Sequence, residues 1–204
     1  MGRKVAIIGK AATVAFTPWH DPDWEIWGMP WLECPRATRL FEMHDQSVAD
    51  ASKGKEADDA WAPKVSKIFP GVPVYCDPSR MHRFENAIEY PLAEVLASLP
   101  FRYLETTISY EIALAIHEGV EEIGLFGIHM MGRDEFVWQR PSVTYLIGLA
   151  QGRGIKVSLA PGSPLFLSGF QSGRYGSGTI TRDISAITGW NPNPASSQKG
   201  LPNG

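Results

Sequence analysis

Three short apolar runs, each closed by glycine, constrain this chain most: Lys4-Val-Ala-Ile-Ile-Gly9, Trp24-Glu-Ile-Trp-Gly28 and Glu122-Ile-Gly-Leu-Phe-Gly127. A strand buried on both faces is apolar throughout, and glycine lets the chain turn sharply where it ends. Arg39-Leu-Phe-Glu42, Val72-Pro-Val-Tyr75 and Ile155-Lys-Val-Ser-Leu159 add strands, the one containing Pro73 expected at a sheet edge because proline cannot donate to a ladder.

Helical patterns alternate with these strands. Pro91 to Leu99 carries proline in its first turn and sets Leu92, Val95, Leu96 and Leu99 on one face. Thr107 to His117 opens on hydroxyl residues and stops at Gly119. Asp58 to Phe69 reads as a helix starting near Pro63, and a last helix runs from Trp138 or Pro141 to Gln151, stopped by Gly152 and Gly154. This alternation predicts an α/β fold: a single Rossmann-like domain over residues 1–165, with a mainly parallel sheet flanked by helices. A chain of 204 residues suits one such core. Residues 166–204 read as an irregular Gly/Ser/Pro-rich C-terminal tail, since Gly162 to Gly204 holds 8 Gly, 4 Pro and 7 Ser but only four charged side chains.

Several classes drop out. No apolar run approaches the roughly 20 residues of a membrane helix, and Val5 to Ile8 is too short for a signal peptide. Cys34 and Cys76 lie far apart without metal-ligand spacing, which predicts a reducing, cytoplasmic setting and no zinc or disulfide framework. The net charge of -3 is unlike that of a dedicated nucleic-acid module. Its distribution is uneven: residues 1–152 carry -7 and residues 153–204 carry +4. Arg153, Lys156, Arg174, Arg182 and Lys199 could therefore meet a polyanion such as DNA.

In parallel sheets ligands bind beyond the carboxyl ends of the strands. That rule selects the loops Gly9-Lys10-Ala11-Ala12-Thr13, Gly28-Met29-Pro30-Trp31, Glu42-Met43-His44-Asp45 and Gly127-Ile128-His129-Met130. Gly9, Lys10 and Thr13 offer amides, an ammonium and a hydroxyl to a phosphate, although neither the P-loop nor the dinucleotide spacing is present and Gly9 serves equally as a turn residue. Thr106, Thr107, Ser109 and Tyr110 crowd a helix start, where hydroxyls either cap the helix or meet a ligand. His129, and His44 beside Asp45, are candidate general bases, with a structural hydrogen bond as the plain alternative. Trp31 can stack on a base or sugar, Gln139 can bind either, and Arg140 can clamp a phosphate. Packing and an ordinary helix start explain the same residues. A metal site from His44, Asp45, His129 and Asp134 has no short-range ligand spacing behind it.

The span Thr106-Thr-x-Ser-Tyr-x-x-Ala-Leu-Ala, then Gly119-x-Glu-Glu-Ile-x-Leu-x-Gly127-Ile-His-Met130, Gln139-Arg-Pro and Tyr145-Leu-x-Gly148 resembles a group of phage-encoded Rossmann-like proteins of uncharacterised function. The outline is similar, more distantly, to bacterial sialyltransferases that use CMP-sialic acid and to flagellin-glycosylation accessory proteins. Where those sialyltransferases usually carry Gly-Asn-Gly-Pro-Ser, this chain has Gly9-Lys-Ala-Ala-Thr13, so cytidine recognition does not carry over; related phage sequences often have Asp at the position of His129. The resemblance implies a glycosyltransferase taking a nucleotide-sugar as donor substrate, with no separate cofactor, and a hydroxyl acceptor such as a hydroxymethylated base in phage DNA. Gly9 and Thr13 would lie near the phosphate, with Thr107, Ser109 and Tyr110 at the central helix start. Self-association is compatible with this outline. The competing reading is a protein that sequesters a nucleotide or signalling molecule without turnover.

Overall fold

The computed structural model describes residues 2–45, 55–130 and 134–166. The basic residues Arg174, Arg182 and Lys199, and the tail beyond residue 166, lie outside the described residues. Among the described residues seven strands form one sheet: β1 (Lys4–Ile8), β2 (Trp24–Gly28), β3 (Arg39–Glu42), β4 (Val74–Cys76), β5 (Ala87–Glu89), β6 (Glu122–Phe126) and β7 (Lys156–Leu159). Their order is β5-β4-β3-β2-β1-β6-β7, and every pairing is parallel. The continuous apolar runs follow from this placement, since β1 is fully buried between β2 and β6 from Val5 to Ile8.

Among the described residues four α-helices flank the sheet: α1 (Lys55–Ile68), α2 (Leu92–Ala97), α3 (Thr107–His117) and α4 (Asp134–Gly152). Alternate side chains separate two cores. Val5, Ile7, Trp27 and Phe41 pack with α3, whereas Ala6, Ile8, Ile26 and Leu40 pack with Ala62 and Val65 of α1.

The structure corrects three boundaries and adds one strand. Pro63 does not start α1, which begins at Lys55, and Pro141 lies inside α4, which begins at Asp134. In each case proline removes one helical donor, but buried neighbours, Ala62 and Val65 in α1 and Ser142 and Val143 in α4, hold the helix against the sheet. The strand expected at Val72 starts at Val74 and is interior, because Pro73 precedes it and contributes only its carbonyl, accepting from Leu40 N at 2.9 Å. The true edge is β5, whose three residues are too few and too exposed to show a pattern.

One of the buried polar residues lies deep in a helix of the core. Glu111 of α3 is fully buried, neither carboxyl oxygen has a hydrogen-bond partner, and burial holds its pKa well above the ordinary carboxylate range. The native state therefore keeps its proton where the unfolded chain releases it, so this group's effect on stability worsens as pH rises through the ordinary carboxylate range. Glu111→Met is expected to raise stability at pH 7 by about 1–3 kcal/mol and by less at pH 4, read by urea melts at both values. Equal gains at both would show that the carboxyl is not held protonated.

Candidate functional site

The strand order reverses direction at β1, with β2 on one side and β6 on the other, and the loops leaving β1 and β6 diverge at that point. Both loops begin with glycine for a steric reason. Gly9 N donates to Phe126 O at 2.8 Å and Ala11 N to Gly127 O at 2.9 Å. A Cβ on Gly9 would sit 2.4 Å from Gly127 O, and one on Gly127, where φ is 68°, would sit 2.5 Å from Gly9 O. Met130 turns the chain at φ 49°, an uncommon conformation for a residue with a side chain, directly after His129.

Beyond these strand ends lies a cleft of about 940 Å³. It gathers most of the expected residues: Gly9, Lys10, Trp31, His44, Asp45, Thr106, Thr107, Tyr110, His129 and Gln139 all line it. The first amides of α3, which have no acceptor within a helix, open beside Thr106 and Thr107. Met29, Met43 and Ile128, from the loops selected by the strand-end rule, also contribute walls, as does Glu105, which no motif marks.

Four expected residues lie elsewhere. Gly28 is packing: its Cβ would meet Ile8 Cγ1 at 2.7 Å. Ser109 is fully buried and closes the helix start, its hydroxyl accepting from Thr106 N at 3.1 Å and donating to Thr106 O at 2.6 Å. Arg140 donates to the carbonyls of Pro164 and Leu165, tying the end of the described chain to α4. Thr13 stands behind the wall and acts on His129. Gly127 N–H donates to Thr13 Oγ1 at 3.1 Å, and Oγ1 lies 2.9 Å from His129 Nε2.

The two histidines are held differently. The Thr13 hydroxyl receives the Gly127 amide and keeps both a proton and a second lone pair for His129 Nε2, so this contact forms with either ring tautomer; burial lowers the His129 pKa and so favours the neutral ring. At His44 the partner fixes the roles. Its Nδ1 lies 2.5 Å from Glu42 Oε1, and a carboxylate can only accept, so Nδ1 carries a proton and in the neutral ring Nε2 holds the lone pair. The sequence sets His44 beside Asp45, and the structure adds a hydrogen bond from His44 to Glu42, the fully buried last residue of β3. An i, i+2 spacing along extended chain puts two side chains on one face, and that was the available signal. The Trp31 ring lies 6.1 Å from the His44 ring and 6.1 Å from that of Trp61.

Cys34 and Cys76 are free and buried, and burial pushes both thiols up to about 11, so neither is a nucleophile at neutral pH. Among the described residues no three His, Cys, Asp or Glu side chains come together as a metal site, and no helix is long and apolar enough to cross a membrane. Of the basic residues expected to meet a polyanion, Arg153 donates to Ser98 O at 2.5 Å and Lys156 pairs with Glu122 at 2.9 Å. Both sit at the amino end of the sheet, opposite the cleft, where Lys156 aligns with the first residue of β6.

No protein-family model and no curated protein matches the chain. Solved structures do. The sialyltransferase CstII from Campylobacter jejuni in complex with the substrate analogue CMP-3FNeuAc is 14% identical, covering 79% of this chain and 82% of that one with a TM-score of 0.52. The same enzyme with cytidine-5'-monophosphate is 14% identical over 80% and 82%, with a TM-score of 0.47. At this identity the likeness establishes the Rossmann-like α/β fold.

Proposed function

We propose that the chain is a glycosyltransferase, moving a sugar from a nucleotide-sugar donor to a hydroxyl acceptor within the cleft. The observation that carries the reading is the meeting of two chemistries in one space: a phosphate-binding end at Gly9, Lys10 and the start of α3, and a histidine held by a carboxylate at His44. At about 940 Å³ the cleft is of the size that takes a substrate of this class. CstII, which shares the fold, was solved with CMP-3FNeuAc, and this makes CMP-linked sugars the first donors to test.

In this reading the acceptor oxygen forms a bond to the anomeric carbon as a base takes its proton. The bond from that carbon to the phosphate oxygen breaks, and its electron pair leaves on the nucleotide. Lys10 and the amides of Thr107 and Ile108 stabilise the charge that develops on the phosphate. Gln139 and Tyr110 meet the sugar or base, and Trp31 supplies an apolar face for a ring.

Nucleotide sugars are to be screened by calorimetry, then incubated with sugar, protein and hydroxymethylcytosine-DNA acceptors while transfer of labelled sugar is followed. One donor is expected to bind and to be consumed, and Lys10→Ala is expected to weaken its binding about tenfold, the loss of one charge-assisted contact. Tight binding with no transfer to any acceptor would favour the sequestering role. Absence of binding by any nucleotide sugar would overturn the transferase reading.

A further inference from the structure

We infer that Glu42 is a positioning residue that makes His44 the general base of the cleft, a deepening that rests on the transferase reading above. Glu42 is inaccessible to solvent and is not among the residues lining the cleft; it ends β3, and its Oε1 lies 2.5 Å from His44 Nδ1. The His44 backbone amide also faces Oε1, at 3.4 Å. The side chain is thus anchored in the core while the ring it holds is half exposed in the cleft, with Nε2 the nitrogen able to accept.

The contrast with His129 makes this specific. That ring's Nε2 is already bonded to the Thr13 hydroxyl, which can both donate and accept and so does not fix the tautomer as a carboxylate does. A transfer of this kind needs one acceptor, for the proton of the incoming hydroxyl, and donors for the departing phosphate oxygen. The proton moves from the acceptor hydroxyl to His44 Nε2, the ring stays bonded to Glu42 through Nδ1, and the new C–O bond forms as the phosphate leaves. Trp31, beside His44, then lies on the acceptor side, and Lys10 and His129 on the donor side.

Glu42→Gln separates positioning from mere support. With its NH2 group turned to the ring, the glutamine donates to Nδ1, which favours the Nε2–H tautomer and disfavours the base form without changing shape. Turnover is expected to fall about 10- to 100-fold with the donor KM within about threefold, and the 15N spectrum of His44 is expected to change from the Nδ1–H to the Nε2–H tautomer. Glu42→Asp, which keeps the carboxylate, is expected to recover part of the rate, and circular dichroism of both variants checks that they fold. Unchanged turnover in Glu42→Gln, or a His44 tautomer that is the same in wild type and variant, would overturn the inference. If wild type transfers no sugar, the transferase reading fails, while the spectrum still reports whether Glu42 sets the ring.

Discussion

Gly127→Ala is expected to destabilise the protein by about 3 kcal/mol or more, lowering its melting temperature by roughly 6–12 °C. The new methyl would lie 2.5 Å from the carbonyl oxygen of Gly9 and 2.9 Å from Val14 Cβ, and the residue would be held at φ 68°. Only the second of these is an intrinsic preference, costing about 1 kcal/mol. Gly119 isolates it: φ there is 64°, but nothing lies within 4 Å of an added Cβ. Gly119→Ala is therefore expected to cost about 1 kcal/mol, and the difference between the variants measures the backbone contact of the loops after β1 and β6. Equal losses would mean that the loops do not touch. Because Thr13, His129 and the Gly127 amide share this junction, the variant is also expected to lose nucleotide-sugar binding before it loses helical signal.

The glycines that end β1 and β6 are the part of the site most legible in sequence, because an apolar run followed by glycine implies both a buried strand and a sharp exit. With those strands placed, the rule for parallel sheets selected the loops that line the cleft. What it could not supply was the direction of each side chain. Ser109 and Thr107 share a helix turn, yet Ser109 closes the backbone start while Thr107 meets the cleft. Arg140 has the chemistry of a phosphate clamp and instead ties down Pro164 and Leu165, a contact 24 and 25 positions along the chain that no local pattern encodes. Glu42 reads as the polar end of a strand. Its partnership with His44 exists only because both side chains leave the same face of the chain as β3 ends.

The second large effect is expected at the histidines, and it should divide between turnover and binding. His44→Ala is expected to lower turnover about 10²- to 10⁴-fold, the usual contribution of a positioned base, with little change in donor affinity. His129→Ala is expected to act mainly on affinity, weakening the nucleotide-sugar about tenfold, because it removes one hydrogen-bonding group near the phosphate. Asparagine provides the control, since its amide nitrogen occupies the place of Nδ1, the ring nitrogen that is not bonded to Thr13. His129→Asn should then retain more donor affinity than His129→Gln, whose nitrogen falls at the position facing Thr13 Oγ1. Burial lowers the His129 pKa, so the neutral ring is the reference against which these variants are compared. If His129→Ala instead removed turnover with affinity intact, while His44→Ala weakened binding, the base would be His129 rather than His44, and Glu42 would not set it.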